Sequence, residues 1–143
     1  MRKQLTFSTI VLVSALLLFS LSGASAQSES KAAFQSVISA QVRAFQSDDW
    51  SKAFSYASPT IKTMFGSVER FREMVMGGYQ AVARPSTFEF EEVITVQGRP
   101  TQRAFIVGPN GQAYQAYYFM QQQQDGEWRI DGVSLTPITD LTS

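Results

Sequence analysis

The hydrophobic period of the chain changes at Arg84-Pro85, and this change is the strongest constraint on its fold. Before this point apolar residues recur at the 3.6-residue spacing of amphipathic helices, and after it they alternate with polar residues as in strands. Helices followed by consecutive strands favour an α+β domain. The sequence therefore predicts N-terminal helices packed on a curved four-stranded antiparallel sheet.

The helical part begins with a long amphipathic segment. Its apolar residues share one face at helical spacing, and they are Phe34, Val37, Ile38, Val42 and Phe45. Three short helices are predicted to follow, each after a residue whose side chain accepts a hydrogen bond from the first helical turn. These caps are Asp49, Ser58 and Ser67, and Gly77-Gly78 is predicted to end the helical part of the chain.

Four strands are predicted after Pro85. Asn110-Gly111 and Asp125-Gly126 are typical hairpin turns, because both residues of such a pair tolerate positive φ. The third strand, residues 112–121, has apolar residues on both faces, and we expect it in the interior of the sheet.

Strand alternation also predicts which side chains face the helices. In the first strand the inward set is Phe88, Phe90, Ile94 and Val96, with Val93 on the opposite face. In the last strand a bulge at Gly132 is expected to bring Val133 and Leu135 onto the side of Trp128 and Ile130.

Residues 1–26 have the three parts of a secretory signal peptide: basic Arg2 and Lys3, an apolar run over residues 10–21, and small residues at Ala24-Ser25-Ala26. We expect cleavage between Ala26 and Gln27 and a periplasmic or secreted protein. An uncleaved membrane anchor is the alternative, because no charged residue occurs between Lys3 and Glu29. One domain is expected over residues 27–136, followed by a loose C-terminal tail over residues 137–143.

The chain of 143 residues contains neither cysteine nor histidine. This excludes Cys or His zinc sites, Ser-His-Asp hydrolysis and Cys-His catalysis within one chain. Loss of Arg2 and Lys3 with the signal leaves ten basic against 12 acidic residues, a net charge of −2. That charge does not favour nucleic acid or a membrane surface. No glycine-rich phosphate loop is present, and neither a cofactor nor a metal is predicted.

Two short patterns have catalytic or metal-binding counterparts, but surface positions explain them better. Ser28-Glu29-Ser30-Lys31 matches the Ser-x-x-Lys pattern of penicillin-binding enzymes, yet the companion motifs of that pattern are missing. Glu89, Glu91 and Glu92 carry oxygens suited to calcium, yet no glycine-bearing ligand loop accompanies them.

The order of elements and the closing hairpin Asp125-Gly126-Glu127-Trp128-Arg129-Ile130 resemble the cone-shaped, cystatin-like fold of the nuclear transport factor 2-like superfamily. That superfamily includes ketosteroid isomerase and many small binding domains. More narrowly, several spaced motifs resemble a bacterial exported family catalogued as domain of unknown function 4864. They are Ala57-Ser58-Pro59-Thr60-Ile61, Phe65-Gly66, Met74-Val75, Gly78-Tyr79, Arg84-Pro85 and Trp128-Arg129-Ile130-Asp131-Gly132-Val133. The resemblance covers nearly the whole mature chain and implies a fold, but no activity.

A concave sheet facing a helix tends to leave an apolar pocket with a few polar groups at its mouth. The residues expected there are Tyr79, Tyr114, Tyr117, Arg129 and Asp131. For each tyrosine the alternative is an ordinary core or interface ring. For Arg129 and Asp131 the alternative is a surface ion pair on one strand face.

Two functions stay open at this point. The preferred hypothesis is a non-catalytic exported domain that binds a small apolar ligand or a partner protein. Its competitor is a small-molecule isomerase or dehydratase that uses tyrosines with Asp49 or Asp131, the residue types that ketosteroid isomerase uses. An interior carboxylate would distinguish the enzyme. A homodimer through Tyr117 and Phe119 on the outer sheet face is a further hypothesis, and a loop that covers these two rings is its alternative.

Overall fold

The computed structural model describes residues 20–139, which form five helices and four strands. In chain order these are α1 (Ser20–Gln46), α2 (Trp50–Ser55), α3 (Pro59–Phe65), α4 (Val68–Gly78), α5 (Gln80–Ala83), β1 (Thr87–Val96), β2 (Arg99–Val107), β3 (Ala113–Gln122) and β4 (Trp128–Pro137). The predicted α+β class is confirmed. Residues 1–19 of the predicted signal segment and residues 140–143 of the predicted tail lie outside the described residues.

The three predicted helix caps are confirmed. The side chain of Asp49 accepts a hydrogen bond from the backbone N–H of Lys52, Ser58 accepts one from Ile61, and Ser67 accepts one from Arg70. These bonds satisfy N–H groups that the first turn of a helix otherwise leaves unpaired. Each of the helices α2, α3 and α4 therefore begins where the cap predicts.

The expectation that helices end at Gly77-Gly78 is wrong, because α5 adds one more turn. Its residues Ala81, Val82 and Ala83 are all buried. A turn this short gives no hydrophobic period, yet alanine has the highest helix propensity and burial stabilises the turn. An added Cβ at Gly108 would lie 3.2 Å from the Ala81 Cβ, so glycine permits this close approach.

The strands form an antiparallel sheet in the order β1-β2-β3-β4, which confirms the interior position of β3. A bulge in β1 between Phe90 and Val93 changes the predicted inward set. Val93 packs on the core with Phe88 and Phe90. Ile94 and Val96 therefore lie on the opposite face, because a bulge reverses the alternation beyond it.

The predicted bulge in β4 is confirmed. The register with β3 shifts between Gly132, opposite Phe119, and Ile130, opposite Met120. Gly132 has a φ of 155°. Val133 and Leu135 consequently pack on the core from the same side as Ile130.

The core lies between α1 and the inner face of the sheet. Phe34 and Phe45 of α1 are both 1% exposed. The ring of Trp128 lies 4.6 Å from that of Phe34, edge to face, which confirms its packing between the sheet and α1. The C-terminal segment stays paired up to Ile138, whose N–H donates to the carbonyl of Ala113.

Candidate functional site

An apolar cavity of about 310 Å³ lies between the helices and β4. Its wall comes from α1, α3, α4, α5, β4 and the segments between the helices. The lining residues are Gln41, Phe45, Ala57, Ile61, Met64, Phe65, Phe71, Met74, Val75, Tyr79, Val82, Ile130, Gly132 and Val133. Met64 is 64% exposed, so the wall reaches the surface at α3. None of these residues carries a charge, and the volume falls at the lower end of the range of small-molecule sites.

α3 forms one wall of the cavity although none of its own residues is fully buried. Its start is attached to β4 through the backbone. The Ser58 N–H donates to the carbonyl of Ile130 at 2.8 Å, and the Ile130 N–H donates to the carbonyl of Tyr56 at 2.9 Å. These bonds fix the distance between α3 and the β4 residues that line the cavity.

The Ser58 hydroxyl adds a second attachment. It accepts from the Ile61 N–H at 3.2 Å and donates to Oδ1 of Asp131 at 2.6 Å. The other oxygen of Asp131 forms an ion pair with Arg99 at 2.8 Å. The guanidinium of Arg99 in turn lies 4.3 Å from the centre of the Phe119 ring. A chain of polar contacts therefore runs from the cap of α3 through β4 to the outer face of the sheet.

The structure does not gather the five predicted pocket residues at one site. Tyr79 lines the cavity. Tyr114 lines a separate depression near Gly78 and Leu135, and Asp131 lies in the β4 bulge.

Tyr117 and Arg129 lie elsewhere. Tyr117 belongs to β3, and its ring is 5.9 Å from the guanidinium carbon of Arg103 on the outer sheet face. Arg129 pairs with Glu127 at 2.6 Å. The proposed surface pair of Arg129 with Asp131 is therefore wrong, because the bulge separates the two residues and each finds another partner.

Gln41 is a site residue that the sequence interpretation did not assign. It lies three residues after Ile38 and four before Phe45, on the apolar face of α1, and it is 4% exposed. A polar residue within an apolar helical stripe is itself a signal, because burial of an amide requires a hydrogen-bond partner. The Nε2 group of Gln41 donates to the carbonyl of Ala53 at 3.1 Å.

Two further buried polar groups lie on the inner sheet face, outside the cavity. Gln102 and Tyr118 are opposite each other on β2 and β3, and both are 0% exposed. Oε1 of Gln102 and the hydroxyl of Tyr118 have no hydrogen-bond partner within residues 20–139. Burial raises the pKa of the Tyr118 hydroxyl well above its ordinary value, because the phenolate would be desolvated.

The acidic residues of β1 take part in polar contacts on the sheet surface. Glu92 pairs with Arg103, and Glu91 accepts from Gln115 at 2.7 Å. Backbone hydrogen bonding, followed by the contact with Arg103, holds the pKa of Glu92 below its ordinary value. Within residues 20–139 no group of three or more acidic side chains could hold a metal ion. No helix in the same range is long and apolar enough to cross a membrane.

Comparison of the chain with curated proteins and with solved structures gave no match. A family model described as "Domain of unknown function (DUF4864)" matches residues 27–142. This range contains all four strands and every residue of the cavity wall. Because the match covers more than half of the chain, the protein belongs to this family.

Proposed function

We propose that this protein is an exported binding domain whose cavity holds a small apolar ligand. The observation that carries the proposal is the apolar wall of the cavity, with a single buried amide, Gln41, among its side chains. Apolar linings with few polar groups are typical of small-molecule sites. The arrangement of helices on a sheet also supports membership of the nuclear transport factor 2-like superfamily.

The alternative of an isomerase or dehydratase lacks a base at the cavity. Asp49 is exposed and caps α2, and Asp131 is engaged by Ser58 and Arg99. Neither carboxylate lines the cavity. General acid-base catalysis needs a group within hydrogen-bond reach of the substrate. The described residues therefore favour binding over catalysis.

The binding proposal can be tested by native mass spectrometry of protein purified from the periplasm of its own organism. We expect a non-covalently bound small molecule on the wild-type protein. Val133→Phe should lose it, because the larger ring fills the cavity from β4. Ser134→Phe is the matched control, since residue 134 is exposed and on the opposite face of the strand. Ligand-free wild-type protein, or equal occupancy of both variants, would contradict the proposal.

We also propose export with removal of residues 1–26. Residues 23–29 are exposed, so none of residues 23–26, which cleavage after Ala26 removes, is part of the buried core. The family match begins at residue 27, which supports the same boundary. In the shortened helix, Glu29 would lie near the new N-terminus, where a negative charge is favourable. The intact mass of periplasmic protein should correspond to residues 27–143, and a full-length chain in the membrane fraction would contradict cleavage.

A homodimer through the outer sheet face is proposed as a secondary property. Phe119 lies on this face and is partly exposed under Arg99. Sedimentation of the purified protein should give a dimer that Phe119→Glu converts to a monomer. A monomeric wild-type protein would contradict this proposal without affecting the cavity.

A further inference from the structure

Gln41 gives the cavity a defined hydrogen-bonding character. Its side chain lines the cavity, and the residue is more than nine-tenths buried. The neighbouring wall residues Phe45, Phe71 and Val75 are apolar, so the amide is the polar feature of this region. Its orientation therefore decides which polar ligand group can bind in this part of the cavity.

The contact with Ala53 fixes that orientation. A backbone carbonyl oxygen can only accept, so the Gln41 atom that lies 3.1 Å from it must be the amide nitrogen Nε2. The carbonyl of Ala53 also accepts from the N–H of Tyr56 at 3.3 Å, which holds it in position at the end of α2. Rotation of the amide by 180° would bring two carbonyl oxygens together, which is unfavourable.

The remaining oxygen, Oε1 of Gln41, accepts no hydrogen bond from any residue in the range 20–139. This oxygen is not one of the buried unpaired side-chain atoms of residues 20–139, so solvent in the cavity reaches it. A ligand that displaces this solvent must supply a donor in its place, because an acceptor buried without a donor is costly. A purely apolar ligand would exclude water from the oxygen and leave it unpaired. Selection against such a ligand follows from the same penalty.

We propose that the cavity prefers small apolar molecules that carry one hydrogen-bond donor, such as a phenol or an alcohol, and that Oε1 of Gln41 accepts from this donor. This inference rests on the proposed binding function. It specifies the ligand class that the cavity volume alone leaves open.

Two probes that differ in the donor test the inference: 4-ethylphenol, and 4-ethylanisole, in which a methyl group replaces the hydroxyl proton. Their dissociation constants are measured by titration calorimetry on the wild-type protein and on Gln41→Met, a side chain of similar length without an amide. We expect the wild-type protein to bind 4-ethylphenol about 3- to 10-fold more tightly, the effect of one neutral hydrogen bond. In Gln41→Met this ratio should fall to one or below. Because 4-ethylanisole is the larger and more apolar probe, burial of apolar surface cannot produce a preference for 4-ethylphenol.

The outcomes separate the two proposals. Binding of neither probe to the wild-type protein argues against the cavity as a ligand site. Equal binding of both probes to the wild-type protein leaves the binding function intact and overturns the donor inference. This measurement uses the wild-type protein alone, so it tests the inference even if Gln41→Met does not fold. A preference that persists in Gln41→Met also overturns the inference, because another group, such as the Tyr79 hydroxyl, would then receive the donor. Binding of 4-ethylanisole to the variant at least as tightly as to the wild-type protein demonstrates an intact cavity, because the variant has no amide oxygen for this probe to leave unpaired.

Discussion

Replacement of Ser58 by alanine should destabilise the protein more than the loss of a helix cap alone. An N-cap contributes about 1 kcal/mol. Ser58 is 0% exposed and also donates to Asp131 at 2.6 Å, and a hydrogen bond to a charged group contributes about 1.5–3 kcal/mol. The Asp131 side chain is 19% exposed and keeps its pair with Arg99, so solvent and arginine recover part of this second contribution. We expect a total loss of about 2 kcal/mol in the free energy of unfolding.

Ser67→Ala is the matched control for this measurement. Ser67 caps α4 through the same contact, a hydrogen bond of 3.2 Å from the N–H three residues later, but its hydroxyl donates to no side chain in the described part of the chain. It should lose about 1 kcal/mol. Urea unfolding of both variants, with equal slopes against denaturant, gives the difference directly.

The double-mutant cycle with Asp131→Ala isolates the bond between Ser58 and Asp131. In that background Ser58→Ala should cost only the cap, about 1 kcal/mol, so the coupling energy is also about 1 kcal/mol. Equal losses for Ser58→Ala and Ser67→Ala, together with a coupling energy of zero, would refute the reasoning. The attachment of α3 to β4 would then depend on the backbone bonds alone.

Three further substitutions test the core, the sheet and the bulge. Tyr118→Phe should raise the free energy of unfolding by about 1 kcal/mol at neutral pH, because the buried hydroxyl has no partner within residues 20–139. Burial raises the pKa of Tyr118 in the folded state, so above about pH 10 the hydroxyl loses its proton in the unfolded chain but keeps it in the folded protein. The free energy of unfolding of the wild-type protein should therefore be independent of this group below about pH 10 and fall above it by up to about 1.4 kcal/mol per pH unit. Urea unfolding from about pH 9 to 11 should detect this decrease in the wild-type protein and a smaller one in Tyr118→Phe. Trp128→Ala should cost about 3 kcal/mol in the same assay, because it removes the edge-to-face contact with Phe34, and a loss under 1 kcal/mol would contradict this packing. Gly132→Ala should lower the free energy of unfolding by about 1–2 kcal/mol, because residue 132 has a φ of 155°, which alanine rarely adopts. The control is Gly77→Ala in α4, which should be neutral or stabilising because an added Cβ there meets nothing within 4 Å. Equal thermal midpoints of the two variants would contradict the strain at the bulge.

Local signals in the sequence predict most of the fold because each acts within a few residues. Cap side chains, hairpin dipeptides and the period of apolar residues depend only on near neighbours, and the caps and the order of strands follow them. The β4 bulge could be predicted for the same reason, since Gly132 is a local exception in an otherwise alternating strand.

The β1 bulge could not be predicted, because the side chain that binds its backbone lies on another strand. Gln102 of β2 is buried, and its Nε2 donates at 2.8 Å to the carbonyl of Glu91, within the bulged segment. Nothing near Glu91 in the sequence indicates this contact. Gln102 looks like any polar strand residue until β2 is paired with β1, and the prediction for Ile94 was wrong for this reason.

The candidate site was harder to predict than the fold for a related reason. The sequence interpretation favoured tyrosines and charged residues, because these carry recognisable chemistry. The cavity instead uses apolar residues from five helices and strands, together with one amide that interrupts the stripe of α1. Of the five expected residues only Tyr79 lines it, since membership depends on how the helices pack rather than on residue type.

Stability and the shape of the cavity meet at the β4 bulge. Gly132 lines the cavity, and the preceding residue, Asp131, accepts the hydrogen bond that attaches the start of α3. A change at the bulge therefore alters both the wall of the cavity and the position of the helix opposite it. A change at Ser67 is expected to alter stability alone, because Ser67 does not line the cavity and its hydrogen bonds within the described chain are to Arg70 and Phe71 of α4. If the cavity binds a ligand, Gly132→Ala should weaken binding at temperatures where the variant is fully folded, whereas Ser67→Ala should leave the affinity unchanged. Parallel losses of affinity in both variants would mean that affinity follows global stability, and that the bulge has no separate role in shaping the cavity.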